Sequence, residues 1–236
     1  MTTKKQMGLE NYILPSFLRK KNNALLKHIK SVFDEHEIPF FLFKSTLLGA
    51  MRDAYPIPWV DTYDVGVFKQ DVLKIARLKD KLERDEEFIF EMFGNLKVFK
   101  LTDKNSCWLF NREKTAVLAP PTVDIYIFEQ EDNEDKTPNP DGDYVLMNEK
   151  MRAKWPNDRF KKDELFPLID ISLNVGKLTE FKAPYKSLEY LNKRYPDWET
   201  QFYVKIRDLE TPEGISEKSR KYKINDFFPE GKVPHE

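Results

Sequence analysis

Phe40-Phe-Leu-Phe-Lys-Ser-Thr-Leu-Leu-Gly-Ala-Met-Arg52, followed after a Pro-rich segment by Asp61-Thr-Tyr-Asp-Val-Gly-Val-Phe68, holds the sharpest change of periodicity in the chain. Phe40 to Phe43 is a short, fully apolar run that suits a buried strand. Ser45 or Thr46 is placed to cap a short helix carrying Leu47, Leu48 and Met51. Pro56 and Pro58 then force extended backbone. Val65, Val67 and Phe68 make a second strand, which Asp64 opens.

Working outward, Leu18, Leu25, Leu26, Ile29, Val32 and Phe33 recur at spacings of three, four and seven, which predicts a helix over 17–36. A second helix is expected at 70–84, then strand-like stretches at 87–92, 95–101, 106–110 and 122–128. In the last, Thr122-Val-Asp-Ile-Tyr-Ile-Phe128, a carboxylate alternates with strong β-formers. Residues 129–143 are acidic and contain the turn signal Asn139-Pro-Asp-Gly142, which marks a solvated loop. A final helix begins near Pro184 and is expected to bury Leu188, Leu191 and Tyr195. No internal repeat and no convincing linker divides the chain. The expected organisation is an arm at 1–16, a single α+β domain at 17–210 and a tail at 211–236.

Composition narrows the function. The chain has 39 Lys and Arg against 40 Asp and Glu, so no global basic field exists to favour nucleic acid or an anionic membrane. One cysteine, Cys107, excludes an internal disulfide, and with only His28, His36 and His235 it cannot build a Cys/His zinc cage. No apolar run reaches the roughly 18 residues of a membrane span, and the N-terminus lacks a signal-peptide core. A soluble, cytoplasmic protein is the expectation. Eight glycines with no adjacent pair exclude Walker-type and dinucleotide-binding glycine loops. His28 and His36 suit surface or core-edge roles, Cys107 a buried structural thiol, and Trp59 a packing role in its Pro-rich segment.

What remains is a set of carboxylates at strand ends: Asp61 and Asp64 after Pro58-Trp59, and Asp124 in a second strand. Hard divalent cations take oxygen ligands, and carboxylates from neighbouring strands converge on one without a long loop. Phosphoryl transfer needs such a cation to neutralise phosphate charge. Residues i and i+2 of a strand face one side, so positions 62 and 64 are the natural pair, with a third ligand on the neighbouring strand. With 40 acidic residues, accidental Asp pairs are common, and on spacing alone strand-start capping by Asp61 and Asp64 is the simpler reading.

Three ordered blocks decide between those readings. Leu25-Leu26 to Ile38-Pro39-Phe40, Ser45-Thr-Leu-Leu-Gly-Ala-Met-Arg52 and Ile57-Pro-Trp59 with Asp61, Asp64, Val65 and Gly66 resemble the LicD/fukutin family. Val123-Asp-Ile-Tyr-Ile-Phe128 resembles its downstream Asp-Ile strand. Leu165-Phe-Pro-Leu168, Pro184-Tyr185 and Tyr195-Pro-Asp-Trp198 resemble its C-terminal signature. The resemblance covers roughly 22–200. It implies a nucleotidyltransferase-like mixed sheet flanked by helices, with a C-terminal helical extension. It also implies Mg²⁺- or Mn²⁺-dependent transfer of a phospho-alcohol, such as phosphocholine or ribitol phosphate, from a CDP-linked donor to a sugar hydroxyl of a glycan or glycolipid.

Carried over by position, Asp64 and Asp124 are implied metal ligands, with Asp61 and Thr62 beside them. Ser45 and Thr46 are implied at the turn that holds donor phosphates. Arg52 either contacts a phosphate or braces the acidic cluster. Asp124 or Asp61 is the nearest base for the attacking hydroxyl. Two positions depart from the family. Thr62 stands where it has the first aspartate of Asp-x-Asp, and Lys44 where it has the first glycine of the turn. Either Asp61, Asp64 and Asp124 still hold a metal while Lys44 offsets donor charge, or the domain is a catalytically impaired binding or scaffolding module. An NMP-adding nucleotidyltransferase shares the fold, but the C-terminal block resembles the phospho-alcohol transferases.

Overall fold

The apolar stripe predicted over 17–36 forms helix α1, Ser16–Glu35, in a computed structural model that describes residues 13–84, 87–94, 97–106, 109–110, 117–118, 120–211 and 214–223. Leu25, Leu26, Ile29 and Phe33 on that stripe are fully buried, each contributing about 1.5–3 kcal/mol of burial. The chain continues through β1 (Phe40–Leu42), α2 (Lys44–Asp53) and β2 (Thr62–Phe68). The helix expected at 70–84 is broken into a 3-10 turn, α3 (Val72–Arg77) and α4 (Lys79–Glu83), which bury Val72, Ile75 and Leu82 between them. Then come β3 (Phe88–Phe93), β4 (Val98–Asp103), the two-residue strands β5 (Leu109–Phe110) and β6 (Val117–Leu118), and β7 (Thr122–Gln130).

Five strands form the main path of the sheet in the order β1-β2-β7-β4-β3. Only the β2–β7 pair among them is parallel, in the register Thr62↔Thr122, Asp64↔Asp124, Gly66↔Tyr126. Past the end of the β4 pairing, β7 takes up β8 (Tyr144–Leu146). After α5 (Glu149–Lys154), β9 (Arg159–Phe160) pairs with β8. The sequence then runs through α6 (Lys162–Leu165), the hairpin β10 (Ile169–Asn174) and β11 (Leu178–Ala183), and α7 (Ser187–Arg194).

The two faces of the sheet differ. Tyr63, Val65, Val67, Val123, Ile125 and Ile127 are buried on the α1 side. On the other face lie Thr62, Asp64, Gly66 and Phe68 of β2 and Thr122, Asp124, Tyr126 and Phe128 of β7. One half of that face is sealed by aromatic rings: Phe43, Phe128, Phe160 and Tyr190 sit at centroid distances of 4.8–6.2 Å. Gly66 is required there, because a Cβ would lie 2.3 Å from the Phe41 ring. The other half carries the polar residues.

Two expectations about the C-terminal part need correction. Leu188 is 52 % exposed, while Tyr190 and Leu191 fill the buried face of α7. Beyond α7 the chain forms a hairpin, β12 (Gln201–Thr211) with β13 (Gly214–Lys223), so the boundary drawn at 210 falls inside a strand and the C-terminal extension adds a hairpin to its helix. Cys107, Trp108 and His235 lie outside the described residues.

Candidate active site

In-register residues on neighbouring strands point to the same side, about 5 Å apart. The pairing Asp64↔Asp124 therefore sets the two carboxylates side by side, as a metal pair requires. The same row continues to Lys100 on β4 and Glu91 on β3. One step along the strands lies a row of hydroxyls, Thr62, Thr122 and Thr102, with Thr102 Oγ1 and Thr122 Oγ1 at 3.2 Å.

The start of α2 is stitched to Asp64. The Phe43 N–H donates to the Asp64 carbonyl at 3.1 Å, the Asp64 N–H to Thr46 Oγ1 at 2.7 Å, and the Ser45 hydroxyl to Asp64 Oδ2 at 2.8 Å. Ser45 and Thr46 thus lie at the turn as expected, but they do not cap the helix. Phe43 is the N-cap and no side chain caps it, because both hydroxyls serve the neighbouring strand. Gly49 lets α2 press on the returning segment, since a Cβ would lie 2.5 Å from the Tyr55 carbonyl oxygen.

Lys44 has φ +46°. The turn requires left-handed backbone at this position, which explains why glycine suits it. Its ammonium is buried, 3.8 Å from the centre of the Tyr126 ring, 3.6 Å from that of Trp155 and 3.4 Å from Asp158 Oδ2. Desolvation pushes its pKa down, opposed by the charges of Asp64 and Asp158. The Asp158 side chain is wholly buried; it accepts a hydrogen bond from Tyr190 Oη and makes an ion pair with Arg194 Nε, each at 3.0 Å. Burial and the Asp158 charge hold the Tyr190 hydroxyl protonated well beyond its ordinary range.

Asp61 and Arg52 are placed differently from Asp64. Asp61 precedes β2, one residue out of phase with Thr62 and Asp64, and its carbonyl accepts from Asn22 Nδ2 at 3.1 Å. Among the described residues no group of three or more His, Cys, Asp or Glu could hold a metal ion, so the expected trio Asp61, Asp64 and Asp124 reduces to a pair. Arg52 Nε binds Asp53 Oδ2 at 2.8 Å, and its two terminal nitrogens are buried without hydrogen-bond partners. It stands eight residues along α2 from Lys44, about 12 Å by helical rise, and so not at the phosphate turn.

The two carboxylates still suit a hard cation. Asp124 Oδ1 is buried and has no hydrogen-bond donor. Lys100 Nζ approaches it at 3.1 Å, as an ion pair off the hydrogen-bonding direction. Mg²⁺ commonly takes one or two carboxylates and completes its shell with substrate phosphates and water. Asp64 and Asp124 supply that number, with Thr62 as a neutral oxygen beside them.

The remaining candidates are structural. Trp59 is buried in the core. Nε2 of His28 lies 3.0 Å and 3.1 Å from the Lys81 and Leu82 carbonyls, and burial lowers its pKa. His36 Nε2 meets Lys81 Nζ at 2.8 Å. Sequence reasoning missed Lys100, Tyr126, Trp155, Asp158, Tyr190 and Arg194. Lys100 and Tyr126 had a local signal, the strand alternation Lys100, Thr102 on β4 and Thr122, Asp124, Tyr126 on β7.

The family described as LicD/FKTN/FKRP, nucleotidyltransferase domain, matches residues 37–184, more than half of the chain. Two curated relatives, "Uncharacterized protein RP689" of Rickettsia prowazekii (strain Madrid E) and "Uncharacterized protein RT0683" of Rickettsia typhi (strain ATCC VR-144 / Wilmington), are each 25% identical over 175 residues, or 74% of this chain. The match covers 54% and 45% of them, so the chain spans about half the length of the relatives it matches. Among solved structures, the lincomycin-bound lincosamide antibiotic adenylyltransferase LnuA is similar at 12% identity and TM-score 0.41, over 71% of this chain and 83% of that one. Among the described residues no helix is long and apolar enough to cross a membrane.

Proposed function

The chain belongs to the LicD/FKTN/FKRP nucleotidyltransferase-domain family, and from that premise we propose that it is a transferase moving a phospho-alcohol from a CDP-linked donor to a sugar hydroxyl of a glycan or glycolipid, with Mg²⁺ or Mn²⁺. The observation that carries this reading is the in-register pair Asp64↔Asp124 with an orphaned carboxylate oxygen. A divalent cation held by this pair would neutralise phosphate charge and steady the leaving nucleotide.

The chain's own residues do the rest. Ser45 fixes the orientation of Asp64 through its hydroxyl, and Thr46 fixes the backbone of the same residue. Lys44, locked between two rings, adds positive charge behind Asp64 instead of reaching toward a donor. Asp124, whose side chain is 15% exposed, is the carboxylate assigned to accept the acceptor's proton. Incubation with CDP-choline, CDP-ribitol or CDP-glycerol and Mn²⁺ is expected to release CMP, and Asp64→Ala to abolish release. If no donor is consumed and Asp64→Ala matches wild type, the reading fails.

A second reading has specific support. Thr62 removes one carboxylate of the family's pair, and two lysines crowd those that remain. A catalytically impaired binding module would show weak metal affinity, with turnover appearing in Thr62→Asp. Labelled-nucleotide transfer to an acceptor would instead identify an NMP-adding enzyme.

A further inference from the structure

Lys100 has no part in the proposed reaction, yet its ammonium lies 3.1 Å from Asp124 Oδ1, a buried oxygen with no hydrogen-bond partner. It stands directly across from Asp124 on β7, and directly across from Glu91 on β3. All three side chains share the open face of the sheet. The Lys100 side chain is 37% exposed and that of Asp124 15%, so this ion pair is open to solvent on the lysine side. The contact is off-axis, so Lys100 neutralises Asp124 without satisfying Oδ1 as a hydrogen-bond acceptor. Lysine is a compact charge on a flexible stem, well suited to leaving such a contact. It has a second anion in reach of that stem, the exposed Glu91.

We infer that Lys100 is a resident counter-ion that competes with a divalent cation for Asp124 and gives way when the metal binds. The inference rests on the reading of Asp64 and Asp124 as a metal pair. In the metal-free protein Lys100 prevents two adjacent carboxylates from repelling each other across β2 and β7. On metal binding the cation repels the ammonium from Oδ1, and the already off-axis contact gives way. Lys44 cannot play this part, since rings enclose its ammonium on two sides and Asp158 holds it. The arrangement sets metal affinity below that of an unencumbered pair.

The test is Mn²⁺ binding to the full chain, without nucleotide, read by electron paramagnetic resonance of free Mn²⁺. Lys100→Met removes the competitor and keeps the length of the stem. It is expected to tighten the Mn²⁺ dissociation constant roughly threefold to tenfold. Lys100→Arg keeps the charge and is expected to stay within about twofold of wild type. Circular dichroism melting of both variants reports that the fold is kept. Mn²⁺ bound by wild type and by Lys100→Met with equal affinity would overturn the competition while leaving the metal pair intact. Mn²⁺ bound by none of the three would overturn the metal reading and this inference with it.

Discussion

Two lysine–aspartate pairs stand on the same face of one sheet, and depth separates them. Lys44 and Asp158 are 7% and 0% exposed and enclosed by Tyr126, Trp155, Tyr190 and Arg194. Lys100 and Asp124 are 37% and 15% exposed and border open solvent. The same two charges thus make a fixed structural bond in one place and an exchangeable one in the other. Removing one partner from a buried pair strands a charge, whereas removing one from an open pair lets water replace it.

The largest effect expected from breaking this contrast is that of Asp158→Ala. It leaves Lys44 enclosed without its carboxylate and should cost about 3–5 kcal/mol in urea denaturation. Next comes Lys44 itself. Lys44→Met keeps the stem but also the left-handed backbone, while Lys44→Gly relieves that strain. Both should destabilise, with the glycine variant less affected by about 1 kcal/mol.

The pH dependence of the deep pair has a definite sign. Burial lowers the folded pKa of Lys44 below 10.5. Between the lowered value and 10.5 the unfolded chain binds more protons than the folded one, so the Lys44 contribution to stability grows as pH rises through that window. The stability of wild type relative to Lys44→Met should therefore improve as pH rises toward 10.5, with Lys44→Met as the reference that cancels the tyrosines. An unchanged difference would show that the ammonium is not desolvated. The smallest effect is expected at the open pair, where Lys100→Met should change unfolding free energy by less than about 1 kcal/mol.

How far these pairs are legible in the sequence has the same division. The strand Thr122–Phe128 and the strand opened by Asp64 are readable because β-formers and a carboxylate alternate along them. Their parallel register is not readable, but the two Asp positions fall together once it is set. Lys100 lies in a strand with the same alternation and is found by asking which neighbour faces Asp124. Asp158, Trp155 and Arg194 carry no such mark, because their partners are distant in sequence or hidden by the role of Lys44 in the turn motif. Local chemistry makes Ser45 and Thr46 helix caps, and a neighbouring strand outcompetes the helix for both hydroxyls. The alternation Phe202, Val204, Ile206 is present in the sequence of β12, but its partner strand β13 falls in the stretch beyond 210 that reads as a tail without periodicity.

Asn22 ties together the entries of the two strands that carry the carboxylate pair. Its amide donates to the Asp61 carbonyl and accepts from the Thr122 N–H, both at 3.1 Å, from a fully buried position on α1. It works as a spacer bolt through the back wall of the sheet, pinning the roots of the two strands whose third residues are the paired aspartates. The alignment of those aspartates is therefore braced from the α1 side as well as by the ladder between the strands.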